Sequence, residues 1–422
     1  MPPSVYETHC KGAGGLPTTP IWGLLRRRYW QYFSDHARYR SLPPRVDLRG
    51  KTVIVSGSNS GIGKEAAFVF AQWGATVILA CRDPPPYEQH PKDAIADLLA
   101  RDSSISSEQF EWWEVDFGKL DSVRAFGRKW RQSGRICDVL ANNAGVGGAS
   151  ERIVTKDGFE LVNQINFMAH CLLTLYVLPS MKKSAAPRIV NTTSIFHFGG
   201  VLDFSDFNNE RATSRGLHGV QLYCNAKLRL QVWTVELQRR LSRSDEFRHV
   251  IAHGVHPGFV KSNLWNSPTI RALPTILVKG LDLLMALISV TSQQGSLAIL
   301  HAALRTDLGL PKEYIRTSSA LSGKEEEKSS LPLPIPSGLS ASIGGQFINR
   351  THAGFTHRPE CDDPLIRARL WQRVLEDLKL NTTTSGGDTS NASASLRRQR
   401  DPDGLTEGLP EHPQGVALIE KA

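Results

Sequence analysis

Tyr223-Cys224-Asn225-Ala226-Lys227 places a phenol and an amine four residues apart in a segment whose pattern reads as helix. On a helix that spacing puts both side chains on one face. An ammonium beside a phenol favours the phenolate and brings its pKa of ~10 toward the working pH. Such a tyrosine can give a proton to a carbonyl oxygen or take one from an alcohol. A second signal lies upstream. Gly57-Ser58-Asn59-Ser60-Gly61-Ile62-Gly63 follows a short β-branched run, Lys51–Ser56, and opens a helical pattern. Gly57 permits a tight turn, Gly61 lets backbone approach a pyrophosphate, and Gly63 lets helix pack close on strand. The helix N-terminus offers unpaired N–H groups and positive partial charge to phosphate. The next strand ends in Cys81-Arg82-Asp83. An arginine there suits the 2′-phosphate of NADP, whereas an acid suits the ribose diol of NAD. Arg82 stands first, which favours NADP(H). Asp83 beside it keeps NAD(H) as the alternative.

These residues need a frame. Near-continuous apolar strands are expected over 51–56, 75–80, 111–115, 136–141, 188–192 and 250–255, with a late one near 346–349. Amphipathic helices are expected between them over 64–73, 120–130, 158–181 and 222–241. That alternation predicts an α/β fold with a parallel sheet covered on both faces. One Rossmann-type doubly wound domain over 45–380 would contain it. Asp83–Pro91, with three successive prolines, reads as a loop.

The spacing Gly-x-x-x-Gly-x-Gly, with Ser56 before it, resembles the TGxxxGIG motif of the short-chain dehydrogenase/reductase family. Asn142-Asn143-Ala144-Gly145 matches that family's NNAG, and Asp116 the position whose carboxylate meets the adenine amine. The resemblance runs over about 45–310 and implies a catalytic tetrad. Ser194, at the end of RIVNTTS, would hydrogen-bond the substrate oxygen, although Thr193 stands where another serine is common. Tyr223 and Lys227 would supply acid–base chemistry, and both also meet the nicotinamide ribose. Asn166 would hold a water on a proton path to Lys227. His170, four residues on, reads as packing. Pro257-Gly258-Phe259-Val260-Lys261-Ser262 matches PGxVxT, with Ser262 in place of Thr, and would orient the nicotinamide. Asn143, Ala144 and Gly145 would line the same cofactor. The long segment between Ser194 and Tyr223, together with ILACRD, YCNAK and HPGFV, is most similar to the retinol-dehydrogenase-like branch. That branch implies alcohols and aldehydes of lipid type, at the cytosolic face of endoplasmic reticulum or lipid droplets. A small or secondary-metabolite carbonyl is the alternative substrate, and a non-catalytic NADP-binding scaffold the alternative of another class.

The rest of the chain narrows the setting. It has 422 residues, 50 Lys+Arg against 41 Asp+Glu, and a net charge of +9. A balance that modest argues for neither nucleic acid nor membrane, and no basic stripe interleaved with aromatics suggests a nucleic-acid partner. The six cysteines have no metal-ligand spacing, so no metal is expected and they read as core residues of an intracellular, reducing compartment. Met1–Pro20 lacks the features of a secretory signal. Residues 1–44 read as an extension, in which Trp22, Tyr29, Trp30 and Phe33 among Arg26–Arg28 suit a peripheral contact with a bilayer interface or a surface helix alike. Ala272–Val290 is apolar but carries Lys279 and Asp282, which argues against a span; 263–290 reads as an apolar substrate lid. Residues 316–340 read as a flexible insertion and 381–422 as a disordered tail. Pairing into a homodimer through the two long helices is left open.

Overall fold

The computed structural model describes residues 41–148, 151–211, 218–260, 289–305, 308, 344–355, 358–380 and 403–410. Residues 1–40, Ser262, the lid segment over 263–288 and the 316–340 insertion lie outside them.

The strands are β1 (Thr52–Ser56), β2 (Thr76–Cys81), β3 (Phe110–Glu114), β4 (Val139–Asn142), β5 (Arg188–Thr192), β6 (Ile251–His256), β7 (Phe347–Asn349) and β8 (His352–Phe355). They form one sheet in the order β3-β2-β1-β4-β5-β6-β7-β8. All pairs from β3 to β7 are parallel, and β8 closes the edge antiparallel to β7. The strand order reverses between β1 and β4. In an open parallel sheet, the crevice beyond the strand ends at that point is where ligands bind.

Strand alternation sorts the apolar residues into two cores. Val53 and Val55 of β1 face one side, with Val77 and Leu79 of β2. That side is covered by α1 (Gly61–Gln72) and α6 (Ser292–Leu304). Ile54 and Ile78 face the other, under α3 (Leu120–Gln132), the long helical segment α4 (Leu161–Lys183), α5 (His218–Arg243) and α7 (Pro364–Asp377). A further helix, α2 (Pro91–Arg101), starts on an N-cap in which the His90 ring accepts from the Lys92 N–H.

The periodicity located the strands within a few residues. It missed α2, α6, α7 and β8, and it simplified α4. One uniform helix is expected over 158–181. The structure starts it at Leu161, inserts a π turn at Gln164–Met168, and finishes it as a tighter 3₁₀ coil at Leu178–Lys183. Among the described residues α4 is the helix long and apolar enough to cross a membrane, but it is almost wholly buried in the domain, as a core helix is.

The tail reading needs amending at one place. Residues 403–410 lie on the domain rather than away from it. Leu405 is buried in the larger core, Tyr176 donates to the Asp403 carboxylate, and Ser244 donates to the Gly408 carbonyl at 2.6 Å. The five cysteines at 81, 137, 171, 224 and 361 are all free and buried.

Candidate active site

The glycine-rich turn sits at the C-terminal end of β1, against the end of β4. Gly57 has φ +62°, and a Cβ there would come within 2.8 Å of the Ala144 Cα. A Cβ on Gly63 would lie 2.5 Å from the Asn143 amide nitrogen. Both contacts require glycine, because backbone and a locked amide cannot yield. Ser56 joins the two motifs. Its Oγ accepts from the N–H groups of Asn143 and Ala144, at 2.8 and 3.0 Å, and the Asn143 amide donates to the carbonyls of Ser56 and Gly57. At the start of α1, Ser60 provides no side-chain cap and the first turn holds no acid. The N–H groups of Gly61, Ile62 and Gly63 therefore remain for an anion, and Gly61 has open space where a Cβ would stand. This arrangement fits a dinucleotide pyrophosphate.

Ser58 and Asn59 are turned to other tasks. The Ser58 hydroxyl donates to the Val55 carbonyl at 2.8 Å and its N–H to the Cys81 Sγ at 3.1 Å. The Asn59 amide donates to the Gln89 carbonyl at 2.8 Å. Their side chains help to build the turn.

The ends of β2 and β3 form the ribose side. The Arg82 guanidinium is half-exposed and paired with Glu88 at 2.7 Å. Asp83 lies 3.5 Å from His90. Asp116 accepts from the Gly118 N–H at 2.9 Å and pairs with Lys119 at 2.9 Å, and this partner holds the Lys119 ammonium above its ordinary range.

At the centre of the cleft, Ser194 caps the short helical turn Ile195–Gly199, accepting from the Phe196 N–H at 3.2 Å. The Tyr223 phenol lies near enough to the same hydroxyl for Ser194 to favour its ionised form. Thr193 points elsewhere, donating to the Val255 carbonyl at 3.0 Å. Lys227 is buried one helical turn from Tyr223. Its ammonium lies 5.4 Å from the tyrosine ring centre and donates to the Thr192 carbonyl at 2.8 Å. Burial pushes the Lys227 amine down to about 7. Burial also raises the Tyr223 phenol, and the nearby Ser194 hydroxyl opposes that rise. The expected lowering of the phenol by Lys227 is not what dominates here, because desolvation outweighs attraction for both groups.

Asn166 lies on the π turn of α4. Its side chain pairs twice with the Val146 backbone, accepting from the N–H at 2.8 Å and donating to the carbonyl at 2.9 Å. The amide thus braces the segment following Gly145. It nevertheless lies beside the amine: a Cβ on Gly145 would sit 3.1 Å from the Asn166 Oδ1 and 3.7 Å from the Lys227 Nζ. A π turn places a side chain where a regular helix could not, and such turns are frequent at functional sites.

Three positioning groups carried weaker sequence signals. His170 hydrogen-bonds the Ala144 carbonyl at 2.8 Å and packs on Phe117, so its packing role reaches the NNAG turn. Asn142 donates to Thr174 and Asn191 at 2.8 Å each, and Asn191 donates to Thr234 at 2.9 Å, which ties β4 and β5 to α4 and α5. A Cβ on Gly295 of α6 would lie 2.7 Å from Val260 and 3.2 Å from Ile62. That glycine brings the Pro257–Val260 turn against the start of α1. Thr291-x-x-Gln294, a capping box that opens α6, was the local signal for this helix. Gly258 takes φ +91° in the same turn. Phe196 meets Tyr223 and Phe259 edge-on, with centroids 6.2 and 6.0 Å apart, giving the mouth an aromatic wall.

Comparison with known proteins agrees with this geometry. The family model for short chain dehydrogenase matches residues 51–207. Human retinol dehydrogenase 13 is 34% identical over 259 residues, spanning 59% of this chain and 74% of the relative. Human retinol dehydrogenase 11 is 36% identical over 265 residues, spanning 62% and 76%. The crystal structure of an uncharacterized protein from Mycobacterium paratuberculosis shares the fold, with a TM-score of 0.52, 24% identity and coverage of 80% of this chain and 98% of that one. The glycine turn at the β1–β4 crevice and the extent of these matches lead to one assignment: the chain belongs to the short-chain dehydrogenase/reductase family, in its retinol-dehydrogenase-like branch, and is an NAD(P)-dependent oxidoreductase acting on CH–OH groups.

Proposed function

We propose that this protein interconverts an alcohol and a carbonyl on an apolar, lipid-like substrate of retinoid, sterol or polyprenol type, with NADP(H) preferred over NAD(H). The observation that supports it most is the closeness of the Ser194 hydroxyl to the Tyr223 phenol beside the edge-on rings of Phe196 and Phe259. Two hydroxyls converge where a substrate oxygen would lie, and the surface leading to them is aromatic.

When bound, the nicotinamide supplies or accepts the hydride. The chain's own residues manage the oxygen and its proton. In reduction Ser194 and Tyr223 donate hydrogen bonds to the carbonyl oxygen, and Tyr223 delivers its proton as negative charge develops there. In oxidation the Tyr223 phenolate takes the proton of the alcohol. Lys227 stabilises that phenolate when protonated and binds the nicotinamide ribose. Asn166 holds the backbone at Gly145 and Val146 in place beside Lys227. Donors set in advance at low dielectric need no reorganisation as charge moves.

Gly61–Gly63 N–H groups hold the pyrophosphate, Asn143–Gly145 lie along the nicotinamide half, and Pro257–Val260 with Ser262 orient its amide. Arg82 selects the 2′-phosphate. A membrane-partitioning substrate places the work at the cytosolic face of an intracellular membrane. The test is turnover of all-trans-retinal, a steroid ketone and a small polar ketone with NADPH and with NADH. Faster NADPH-dependent reduction of the apolar carbonyls is expected, and preference for the polar ketone overturns the lipid reading.

A further inference from the structure

The loop after β2 carries an acid to the residue that would read the cofactor's phosphate. Pro85 accepts from the Glu88 N–H at 2.9 Å, closing a turn that presents Glu88 to Arg82. The carboxylate and guanidinium meet at 2.7 Å, with the Arg82 side chain 50% exposed and that of Glu88 37% exposed. This contact does not belong to a loose loop. The next residue, Gln89, accepts from the Asn59 amide at 2.8 Å and from the Lys64 ammonium at 3.1 Å, which pins the loop to the glycine-rich turn and to α1. His90 sits against Trp112 on β3, with ring centres 4.7 Å apart. The C-terminal side of the segment bearing Glu88 is thereby fixed to the walls of the adenosine side, and its N-terminal side continues directly from β2.

A carboxylate and a phosphate use a guanidinium in the same way, as two-pronged acceptors of its N–H groups. Glu88 makes one such contact, from Arg82 Nη2 to its Oε1, and so occupies one prong of the guanidinium that a 2′-phosphate would use. The second basic group at these strand ends, Lys119, is likewise held by an acid, Asp116, at 2.9 Å. Arg82 and Lys119 are thus both paired with a carboxylate.

We propose that Glu88 is a built-in competitor for the cofactor's 2′-phosphate and sets how strongly this chain distinguishes NADPH from NADH. It rests on the assignment of Arg82 above. A 2′-phosphate must displace the Glu88 carboxylate to reach Arg82, whereas NADH leaves the pair intact. The free enzyme thus starts from an arginine already paired through one nitrogen, which lowers affinity for NADPH without touching NADH. Exposed ion pairs are weak, so the effect is a tuning rather than a block.

The experiment is titration of the full chain with NADPH, NADH and adenosine 2′,5′-bisphosphate, followed by tryptophan quenching, for the wild type, Glu88→Gln, Arg82→Ala and the charge control Glu108→Gln. Glu108 is exposed in the turn before β3, and its substitution changes net charge equally. Glu88→Gln should tighten NADPH and the bisphosphate by about two- to five-fold, leave NADH unchanged, and exceed any effect of Glu108→Gln. Unchanged or weaker NADPH binding in Glu88→Gln overturns the proposal, and so does equal tightening of NADH. If Arg82→Ala still weakens NADPH selectively in that case, the Arg82 assignment survives alone. Equal weakening of both cofactors by Arg82→Ala removes that assignment and the competitor with it.

Discussion

The two ends of the cofactor crevice solve the problem of holding charge in opposite ways. At the nicotinamide end Lys227 is buried, its amine is pushed down to about 7, and it donates to the Thr192 backbone carbonyl. Desolvation dominates there, and the hydrogen bond it makes is to a neutral carbonyl rather than a carboxylate. At the ribose end Arg82 and Lys119 are half-exposed or more, and each is paired with an acid, Glu88 or Asp116. Solvent screens those pairs, so each is worth little and can be exchanged. The buried end is suited to moving a proton, which needs a poised group in low dielectric. The exposed end is suited to selecting between ligands that differ by one phosphate. Substitutions should therefore act on rate at one end and on cofactor choice at the other.

The sharpest way to break this division is Tyr223→Phe. It removes the proton donor while keeping the ring that packs on Phe196, and turnover should fall by about 10²–10⁴-fold with NADPH affinity almost unchanged in fluorescence titration. Loss of cofactor binding on the same scale would mean that Tyr223 serves binding rather than chemistry.

Lys227→Met tests the burial itself. The unfolded chain holds the Lys227 proton up to its ordinary pKa, 10.5, and the folded one only to about 7. Between those values the unfolded state binds more protons, so this lysine makes the folded state gain stability as pH rises. Denaturant midpoints at pH 7 and 9.5 should show a smaller gain in Lys227→Met than in the wild type, along with a large loss of turnover. An equal gain in both would place Lys227 in contact with solvent.

Next in size is the frame. Leu405→Ala removes a buried side chain of the segment 403–410 and should cost about 2–5 kcal/mol in denaturant unfolding, with kcat preserved at low temperature. His170→Ala should cost roughly 1–3 kcal/mol and also weaken both cofactors, because the Ala144 carbonyl loses its partner. The smallest effect belongs to the exposed end. Arg82→Ala should weaken NADPH about ten-fold more than NADH, and the difference should shrink as salt rises from 0.05 to 0.5 M. A preference insensitive to salt would move the selectivity elsewhere.

Much of this arrangement was written in local spacing. Gly57 and Gly63 leave no room for a Cβ and Gly61 takes φ +58°, which glycine adopts most readily, so their spacing announces the turn before any contact is known. Tyr223 and Lys227 lie on one helix, and their separation of one turn fixes a shared face. Strands buried on both sides need apolar runs, so β1, β2, β5 and β6 showed themselves. Ser194 and Asn166 were legible through the family pattern, not through chemistry of their own.

Other features depend on partners far along the chain. That Asn166 is spent on Val146 follows from the π turn, which a periodic pattern does not encode. Thr193 and Ser194 are adjacent hydroxyls, and only the turn that leaves β5 beside β6 sends one to Val255 and the other toward Tyr223. The balance of charge at Lys227 depends on how completely α4, α5 and β5 exclude water, and at Arg82 on a loop that folds back through Gln89 to Asn59. Sequence by itself determined the residue types able to do this chemistry and the elements carrying them, because backbone propensity and periodicity are local. The tertiary structure decided which of those groups are desolvated, which are paired, and which merely brace a neighbour, because burial and ion pairing are made by segments distant in the chain.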